Sequence, residues 1–260
     1  DSSRCSGPVM AASGLDPSTI FPFPLDDFQL EAIDALNQGH SVVVSAPTGS
    51  GKTLVGEYAI HRALAHGQKV FYTTPLKALS NQKLRDFREA YGDDNVGLMT
   101  GDLSVNREAS IVVMTTEIFR NMLYAEASEH DDPLADVEAV VLDECHYMND
   151  SQRGTVWEES IIHCPPSVQL VALSATVANA GQLTDWIEKV HGPTTLVLSD
   201  YRPVPLQFSF CSAKGLHPLL NDAGTGLHPN CKVWRAPKGH KRKGRSAKPP
   251  QPEPPPISFV

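Results

Sequence analysis

Short runs of apolar, β-branched residues recur along most of the chain and predict strands that are buried on both faces. These runs cover residues 41–46, 69–74, 110–115, 139–142, 169–173 and 195–198. Between them, the spacing of apolar positions predicts helices over residues 52–66, 76–91, 117–127 and 181–190. Because strands and helices alternate, the pattern predicts an α/β fold in which helices cover a parallel sheet.

Both ends of the chain lack this alternation. Residues 1–19 are rich in serine, glycine and proline, which predicts a flexible leader. Residues 202–210 predict one more extended segment, an edge strand or a linker, because two prolines interrupt it. Residues 249–256 hold six prolines in eight positions, typical of an extended spacer, and the apolar run after them predicts that the natural protein continues. We therefore predict a leader over residues 1–19, one domain over 20–206 and a linker over 207–260.

Composition narrows the class of protein. Hydrophobic residues make up 41% of the 260 residues, enough for a core, and no run of 18 apolar residues predicts a membrane span. The five cysteines are scattered without a C-x-x-C pair, which argues against a disulfide framework or a zinc cluster. We expect a reducing compartment, the cytoplasm or else a plastid or similar compartment, and no membrane partner.

The charge is distributed unevenly along the chain. The net charge is −8, but residues 1–213 hold 13 basic and 28 acidic residues, whereas residues 214–260 hold 9 and 2. An acidic domain does not attract nucleic acid as a whole, so any such binding must come from a local surface or from the basic tail. The basic run at 238–248 fits either non-specific contact with nucleic acid or a solvated linker.

A phosphate-binding pattern follows the first predicted strand. The strand leads into Pro47-Thr48-Gly49-Ser50-Gly51-Lys52-Thr53, and a predicted helix comes next. The glycines allow backbone N–H groups to point at phosphates, and the helix N-terminus adds positive potential. Lys52 is predicted to reach the β- and γ-phosphates and Thr53 to coordinate Mg²⁺. Ala46 replaces the first glycine of the usual pattern, and the alternative is a glycine-rich turn without a ligand.

An acidic motif follows the fourth predicted strand, where ligands bind in open α/β sheets. It reads Asp143-Glu144-Cys145-His146. Asp143 is predicted to hold Mg²⁺, Glu144 to orient and deprotonate an attacking water, and His146 to transmit the nucleotide state to a neighbouring segment. Cys145 is interpreted as a small filler and not as a nucleophile. The alternative for the whole motif is a solvated acidic turn.

Taken in order, these motifs resemble the first RecA-like domain of superfamily-two DExH-box helicases over roughly residues 21–206. The resemblance implies a P-loop, RecA-like three-layer α/β sandwich with a mainly parallel central sheet, and ATP and Mg²⁺ as cofactors. It further implies that Gln29 reads the adenine edge while Phe21 or Phe23 stacks on the base. For the two aromatic residues, simple core packing is the alternative.

The same resemblance assigns roles beyond the nucleotide. Ser174-Ala175-Thr176 would couple the nucleotide site, through His146, to strand displacement. Three segments would contact nucleic acid through free N–H groups, hydroxyls and a lysine. Their residues are Pro75, Leu76 and Lys77, then Gly101 and Asp102, then Thr115, Thr116 and Glu117.

Finer features resemble the superkiller and exosome-associated RNA helicases, in residues 143–150, 153–159, 174–179 and 202–206. This implies the ATP-binding domain of an enzyme that hydrolyses ATP to move along and unwind RNA. Its partners would be single-stranded RNA, a second RecA-like domain in the full-length chain and a ribonuclease complex. Two alternatives stay open: a DNA helicase of the same superfamily, since no residue reads a 2′-hydroxyl, and an ATP-gated RNA-binding scaffold. Because no arginine-finger sequence occurs, we expect this chain alone to be weakly active.

Overall fold

A computed structural model describes residues 14–125, 133–149, 154–212, 215–221 and 224–228. Two compact units divide the chain, the first ending at Pro203 and the second starting at Val204. The helices are α1 (Pro17–Ile20), α2 (Asp27–Asn37), α3 (Thr53–His66), α4 (Lys77–Tyr91), α5 (Thr116–Ala125), α6 (Gly154–His163) and α7 (Ala180–Val190). The strands are β1 (Ser41–Ser45), β2 (Lys69–Thr74), β3 (Val96–Met99), β4 (Ser104–Val105), β5 (Ile111–Thr115), β6 (Val137–Leu142), β7 (Gln169–Ser174), β8 (Thr194–Leu198), β9 (Ser209–Ser212) and β10 (Gly215–Pro218).

The first unit is built on one eight-stranded sheet with the order β4-β3-β5-β2-β6-β7-β1-β8. Every neighbouring pair is parallel except β3 and β4, which confirms the predicted mainly parallel sheet. The carboxyl ends of parallel strands meet at one edge of a sheet. The segments that follow β1, β2, β5, β6 and β7 are therefore brought together at that edge.

Alternate residues of each strand pack into two different cores, so the unit has three layers. Val42, Val44 and Tyr72 pack with residues of α2, α3 and α4 on one face of the sheet. Val43 and Phe71 pack with residues of α5, α6 and α7 on the other face. This arrangement confirms the predicted three-layer sandwich.

A fully buried arginine joins several elements at the amino end of the sheet. Arg62 of α3 donates from Nε to a Glu138 carboxylate oxygen at the start of β6, 2.5 Å away. It also donates to the Leu36 carbonyl oxygen at 2.7 Å and to the side-chain oxygen of Gln169. The Gln169 amide donates in turn to the Leu36 and His40 carbonyl oxygens. The network thus links α2, α3, β6 and β7.

The observed bounds agree with the predicted strands and helices to within two residues, apart from residues 126 and 127 of the predicted helix 117–127, which lie outside the described residues. Sequence reasoning missed α2, α6, β3 and β4. Of the two alternatives for residues 202–210, the linker fits residues 202–208, which form no helix or strand, while residues 209 and 210 begin β9. Pro203 and Pro205 explain this, since proline fixes φ and has no N–H to donate to a ladder.

The two ends of the chain are described in part. Within the predicted leader, α1 is capped by the Asp16 carboxylate, which accepts from the Ser18 N–H at 2.9 Å. The Leu15 carbonyl oxygen accepts from the buried Tyr58 hydroxyl at 2.9 Å, so residues from Leu15 onward pack on the domain. Within the predicted linker, β9 and β10 form an antiparallel hairpin in the second unit. The basic run and the proline-rich spacer lie outside the described residues.

Candidate nucleotide-binding site

The loop between β1 and α3 has the backbone expected of a phosphate-binding loop. Gly49 and Gly51 have φ values of +85° and +83°, a region that residues with a Cβ rarely adopt. The Ser50 N–H donates to the Pro47 carbonyl oxygen at 3.1 Å and closes a tight turn. At the start of α3, the Leu54 and Val55 N–H groups donate to the Gly51 and Lys52 carbonyl oxygens, both at 3.1 Å, so the Lys52 and Thr53 N–H groups are the ones left for a phosphate.

Two buried polar groups of this loop have no partner among the described residues. The Lys52 side chain is only 6% exposed, yet no carboxylate in the described part of the chain lies within ion-pair distance of its ammonium group. The Ser50 hydroxyl is also buried without a hydrogen bond. Buried polar groups are normally paired, because leaving them unpaired costs free energy. An anion such as a nucleotide phosphate is the chemical group that fits both.

The carboxylates of the acidic motif lie in the same cleft as the loop lysine. The cleft has a volume of about 190 Å³. Its lining comprises Lys52, Thr53, Leu79, Gln82, Lys83, Asp143 and Glu144. The Thr53 hydroxyl and the Asp143 carboxylate are oxygen ligands of the type that Mg²⁺ prefers, so these residues fit a nucleotide-bound magnesium ion. The structure thus brings the predicted phosphate and metal ligands together, and Gln82 and Lys83 of α4 are additions that sequence reasoning missed.

Asp143 is held by three hydrogen bonds at the end of β6. Its N–H donates to the Thr73 carbonyl oxygen at 3.0 Å, and one of its carboxylate oxygens accepts from the Glu144 N–H at 2.9 Å. The other carboxylate oxygen accepts from the hydroxyl of Tyr72, a neighbour on β2, at 2.8 Å. Burial, followed by the charge of Asp143, raises the pKa of Tyr72 well above its usual value, so the phenol keeps its proton and donates.

Glu144 adopts a backbone conformation that is unusual for its residue type. Its φ is +54°, in the left-handed region, which costs an ordinary L-residue roughly 1–2 kcal/mol. Strain of this kind is found mostly at functional sites. Its carboxylate lies 3.3 Å from Nδ1 of His146. The predicted water-activating residue therefore sits at a strained turn with its carboxylate beside the predicted coupling histidine.

The predicted coupling residues lie in direct contact with one another. The Ala175 N–H donates to Nδ1 of His146 at 3.3 Å, so one ring nitrogen faces both Ala175 and the Glu144 carboxylate. The Ser174 carbonyl oxygen accepts from the Ala46 N–H at 3.1 Å, which ties this segment to the start of the phosphate loop. Thr176 is exposed beside them. The structure supplies the contacts, and the coupling role itself stays a prediction.

Cys145 lies between Glu144 and His146 in sequence and is buried. Burial raises the pKa of its thiol to about 12, a shift that a hydrogen bond with Ser174 partly opposes. A thiol with such a pKa stays protonated at neutral pH and is a poor nucleophile. This agrees with its interpretation as a small filler.

The residues predicted to contact adenine have different surroundings. Gln29 is 5% exposed; its amide nitrogen donates to the Gly51 carbonyl oxygen at 3.0 Å and its amide oxygen accepts from the Asp26 N–H at 2.9 Å. It therefore braces the phosphate loop, a role that sequence reasoning missed. Phe21 is buried in the core, whereas Phe23 is 53% exposed, so Phe23 is the aromatic with a ring surface free for a base. Their contacts with adenine stay predictions.

The three segments predicted to contact nucleic acid lie at one edge of the sheet, because β2, β5 and β3 are neighbours there. Thr116 donates from its hydroxyl to the Thr74 carbonyl oxygen at 3.2 Å, which joins two of the segments. The Lys77 ammonium forms an exposed ion pair with Asp102, and its hydrogen bond lowers the pKa of that carboxyl. The remaining residues are Pro75 and Leu76 before α4, Gly101 in the β3–β4 turn, Thr115 at the end of β5 and Glu117 in α5.

Two kinds of feature are absent from the described residues, a side-chain cluster for a metal ion and a helix that could span a membrane. No group of three or more histidine, cysteine, aspartate or glutamate side chains in that part of the chain is arranged to hold a metal ion. None of the helices formed by those residues is long and apolar enough to cross a membrane.

Comparison with known proteins identifies the family. Residues 26–183 match the DEAD/DEAH box helicase family. The chain is 55% identical over 212 residues to "DExH-box ATP-dependent RNA helicase DExH15 chloroplastic" of Arabidopsis thaliana, covering 81% of this chain and 18% of the relative. It is 49% identical over 207 residues to "Exosome RNA helicase MTR4" of Mus musculus, covering 78% of this chain and 19% of the relative.

A solved structure shares the fold. "Mycobacterium smegmatis helicase Lhr bound to ssDNA and AMP-PNP" superposes with a TM-score of 0.56 at 28% identity, covering 74% of this chain and 27% of that chain. The predicted RecA-like fold and the predicted resemblance to DExH-box RNA helicases are confirmed. The chain spans less than a third of the length of each of these proteins. This chain belongs to the DEAD/DEAH box helicase family.

Proposed function

We propose that the chain is the ATP-binding domain of an ATP-dependent RNA helicase, which hydrolyses ATP to move along and unwind RNA. The observation that carries the proposal is the phosphate loop itself: Lys52, which has no ion-pair partner among the described residues, shares one cleft with two carboxylates, and the neighbouring Ser50 hydroxyl is buried without a hydrogen bond. A phosphate chain supplies the missing negative charge. The carboxylates are then within reach of its metal ion and of a water molecule.

The chain's own residues have distinct parts in hydrolysis. Lys52 and the N–H groups at the start of α3 bind the phosphates and neutralise the charge that develops during transfer. Thr53 and Asp143 hold Mg²⁺, which supplies further charge neutralisation when bound. Glu144 orients the attacking water and accepts its proton at the carboxylate. The contact of His146 with Ala175 carries a change at Glu144 to the segment around Ser174.

RNA is the preferred nucleic acid, because the Arabidopsis thaliana relative at 55% identity and the Mus musculus relative at 49% identity are named RNA helicases. DNA is the second candidate, since the solved relative at 28% identity holds single-stranded DNA. The N-terminus of α4 and the threonine hydroxyls at the edge formed by β2, β5 and β3 suit contacts with phosphates, which RNA and DNA share. A second RecA-like domain, a ribonuclease complex and a reducing compartment, the cytoplasm or a plastid, complete the proposal.

The test is the steady-state ATPase rate of the whole protein without nucleic acid, with single-stranded RNA and with single-stranded DNA. Glu144→Gln serves as the blank, because it removes the base and keeps the shape. We expect stimulation by RNA well above stimulation by DNA. Equal or stronger stimulation by DNA would favour the DNA enzyme. No stimulation, together with a biological function that survives Glu144→Gln, would favour an ATP-gated scaffold.

A further inference from the structure

A fully buried tyrosine connects the metal-binding carboxylate to the helix behind it. The Tyr72 hydroxyl donates to Asp143 at 2.8 Å, and neither the phosphate loop nor the acidic motif includes this residue. Tyr72 is 0% exposed and its ring packs edge-on against Phe87 of α4, with the ring centres 4.9 Å apart. The hydroxyl is therefore fixed by packing and has a single direction in which to donate.

Lys83 of α4 lies against the same tyrosine. Its Nζ is 5.3 Å from the centre of the Tyr72 ring and 5.6 Å from the centre of the Phe87 ring. A cation at this distance is attracted by the ring, so Lys83 helps to hold the ring of Tyr72 in place. The nearby carboxyl of Glu57 has its pKa raised by burial, and the charge of Lys83 opposes that shift. Lys83 thus stands among aromatic rings and a carboxyl at one side of the nucleotide cleft.

We propose that Tyr72 positions Asp143 for Mg²⁺, and that Lys83 acts on Asp143 through Tyr72. The inference rests on the proposed function, since it assumes that Asp143 is a metal ligand. A carboxylate oxygen has two lone pairs. The Glu144 N–H takes one on the first oxygen and the Tyr72 hydroxyl takes one on the second, so the two hydrogen bonds orient the carboxylate and leave one lone pair on each oxygen for another ligand.

This arrangement has an energetic consequence. Groups that hydrogen-bond to a metal ligand typically change metal affinity by about 10–100-fold when they are removed. Without the Tyr72 hydroxyl, the Asp143 carboxylate keeps only the Glu144 N–H as a hydrogen-bond donor. The carboxylate can then rotate about its side-chain bonds, and its oxygens are no longer held in one orientation. Among the described residues the Tyr72 hydroxyl has no hydrogen bond to the phosphate loop, so we expect its removal to weaken the binding of the metal and not that of the phosphates.

The experiment uses the full chain with Tyr72→Phe, and measures the affinity of a fluorescent ADP analogue at increasing Mg²⁺ and in EDTA. We expect the Mg²⁺ concentration for half-maximal tightening to rise by about 10-fold, with the affinity in EDTA unchanged. Tyr58→Phe is the matched control, because Tyr58 is equally buried and donates to Leu15 and Asn37, not to Asp143. We expect Tyr58→Phe to lower stability as well, but to leave the Mg²⁺ requirement the same as in the wild type.

Lys83→Met and Lys83→Arg test the second residue. We expect the methionine variant to raise the Mg²⁺ requirement about 3-fold, in line with a cation–π contact, and the arginine variant to restore it. Lys83 also lines the cleft, so the rival role is direct contact with phosphate. A fall in affinity in EDTA for Lys83→Met would show that rival role and overturn the part of the proposal that concerns Lys83.

The outcomes separate this inference from the proposed function. If the wild type binds the nucleotide without any effect of Mg²⁺, the assignment of Asp143 as metal ligand fails, and the proposed function is weakened with it. If the wild type depends on Mg²⁺ and Tyr72→Phe behaves like Tyr58→Phe, only the positioning role fails. Circular dichroism at each Mg²⁺ concentration confirms that both tyrosine variants are folded.

Discussion

Buried polar groups have different partners at the two ends of the central sheet. At the amino end, all three nitrogens of the Arg62 guanidinium donate hydrogen bonds to Glu138, Leu36 and Gln169. At the carboxyl end, the Ser50 hydroxyl has no hydrogen-bond partner among the described residues, and Glu144 has a left-handed backbone. A satisfied network stabilises the native fold, whereas unpaired atoms and strain cost stability unless a ligand uses them. We therefore expect changes at the amino end to act on stability and changes at the carboxyl end to act on the proposed nucleotide chemistry.

The largest expected effect is on stability, from a change at the amino end. Arg62→Met leaves Glu138 without its main partner, and breaking a buried ion pair in this way typically costs about 3–5 kcal/mol. Urea unfolding of the chain measures the loss. Arg85→Met, at an exposed position of α4, is the control and should stay within about 0.5 kcal/mol of the wild type. If Arg62→Met were as stable as the wild type, the amino end would lose its assigned role.

A change at the carboxyl end should act on chemistry and not on stability. Glu144→Asn removes the base, so ATP hydrolysis should fall by about 100-fold or more. Asparagine tolerates a positive φ better than glutamate, and the free energy of unfolding should therefore not decrease. Glu144→Gln, which keeps the unfavourable conformation, should lose the same activity and be less stable than the asparagine variant. Paired ATPase and urea measurements decide this, and a clear loss of stability in Glu144→Asn would contradict the comparison.

The unpartnered hydroxyl of the phosphate loop allows a finer test. Ser50→Ala removes a buried group that makes no hydrogen bond, so the unliganded chain should gain up to about 1 kcal/mol in stability. Nucleotide affinity should fall by about 3–10-fold, because a phosphate oxygen loses one neutral hydrogen-bond donor. Ser160→Ala is the matched control, since the equally buried Ser160 hydroxyl donates to the Val156 carbonyl oxygen at 2.7 Å. Its loss should destabilise the chain and leave nucleotide affinity unchanged.

The sequence predicted the parts of the fold that depend on local patterns. Strands such as β1 and β7 are short, mostly apolar runs that are buried on both faces, so their positions follow from the local sequence alone. The phosphate loop could be predicted for the same reason, because its glycines and lysine are contiguous. Helix α2 was missed even though Phe28, Ala32, Ile33 and Leu36 have helical spacing, since the segment was interpreted only through its resemblance to a nucleotide-contacting motif.

The parts of the site that sequence reasoning missed depend on which strands are neighbours. Tyr72 contacts Asp143 across 71 positions of sequence, because β2 pairs with β6. Gln29 reaches Gly51 across 22 positions. Nothing in the spacing of residues fixes the strand order, so these contacts were not predictable. The functional roles of the site residues remain predictions that the experiments above address.

The smallest expected effect concerns acid stability at the amino end. Both ring nitrogens of the buried His191 face carbonyl oxygens, Cys164 at 3.2 Å and Val168 at 2.9 Å, and burial lowers its pKa although these oxygens oppose the shift. The unfolded chain therefore binds a proton more readily, and stability falls as the pH drops below about 6.5, the usual pKa of histidine. His191→Gln keeps a donor but does not titrate, so its loss of stability between pH 7 and pH 5 should be smaller.

Part of the dependence of stability on pH should remain in His191→Gln, and a second buried histidine accounts for it. Burial also lowers the pKa of His61, which lies between the rings of Phe21 and Tyr91, and it adds a loss of stability of the same sign. His191→Gln combined with His61→Gln should therefore flatten the dependence further than either change alone. Urea unfolding at several pH values measures each slope. An unchanged slope in His191→Gln would mean that its two carbonyl partners cancel the effect of burial, so that the folded and unfolded chains bind the proton equally well.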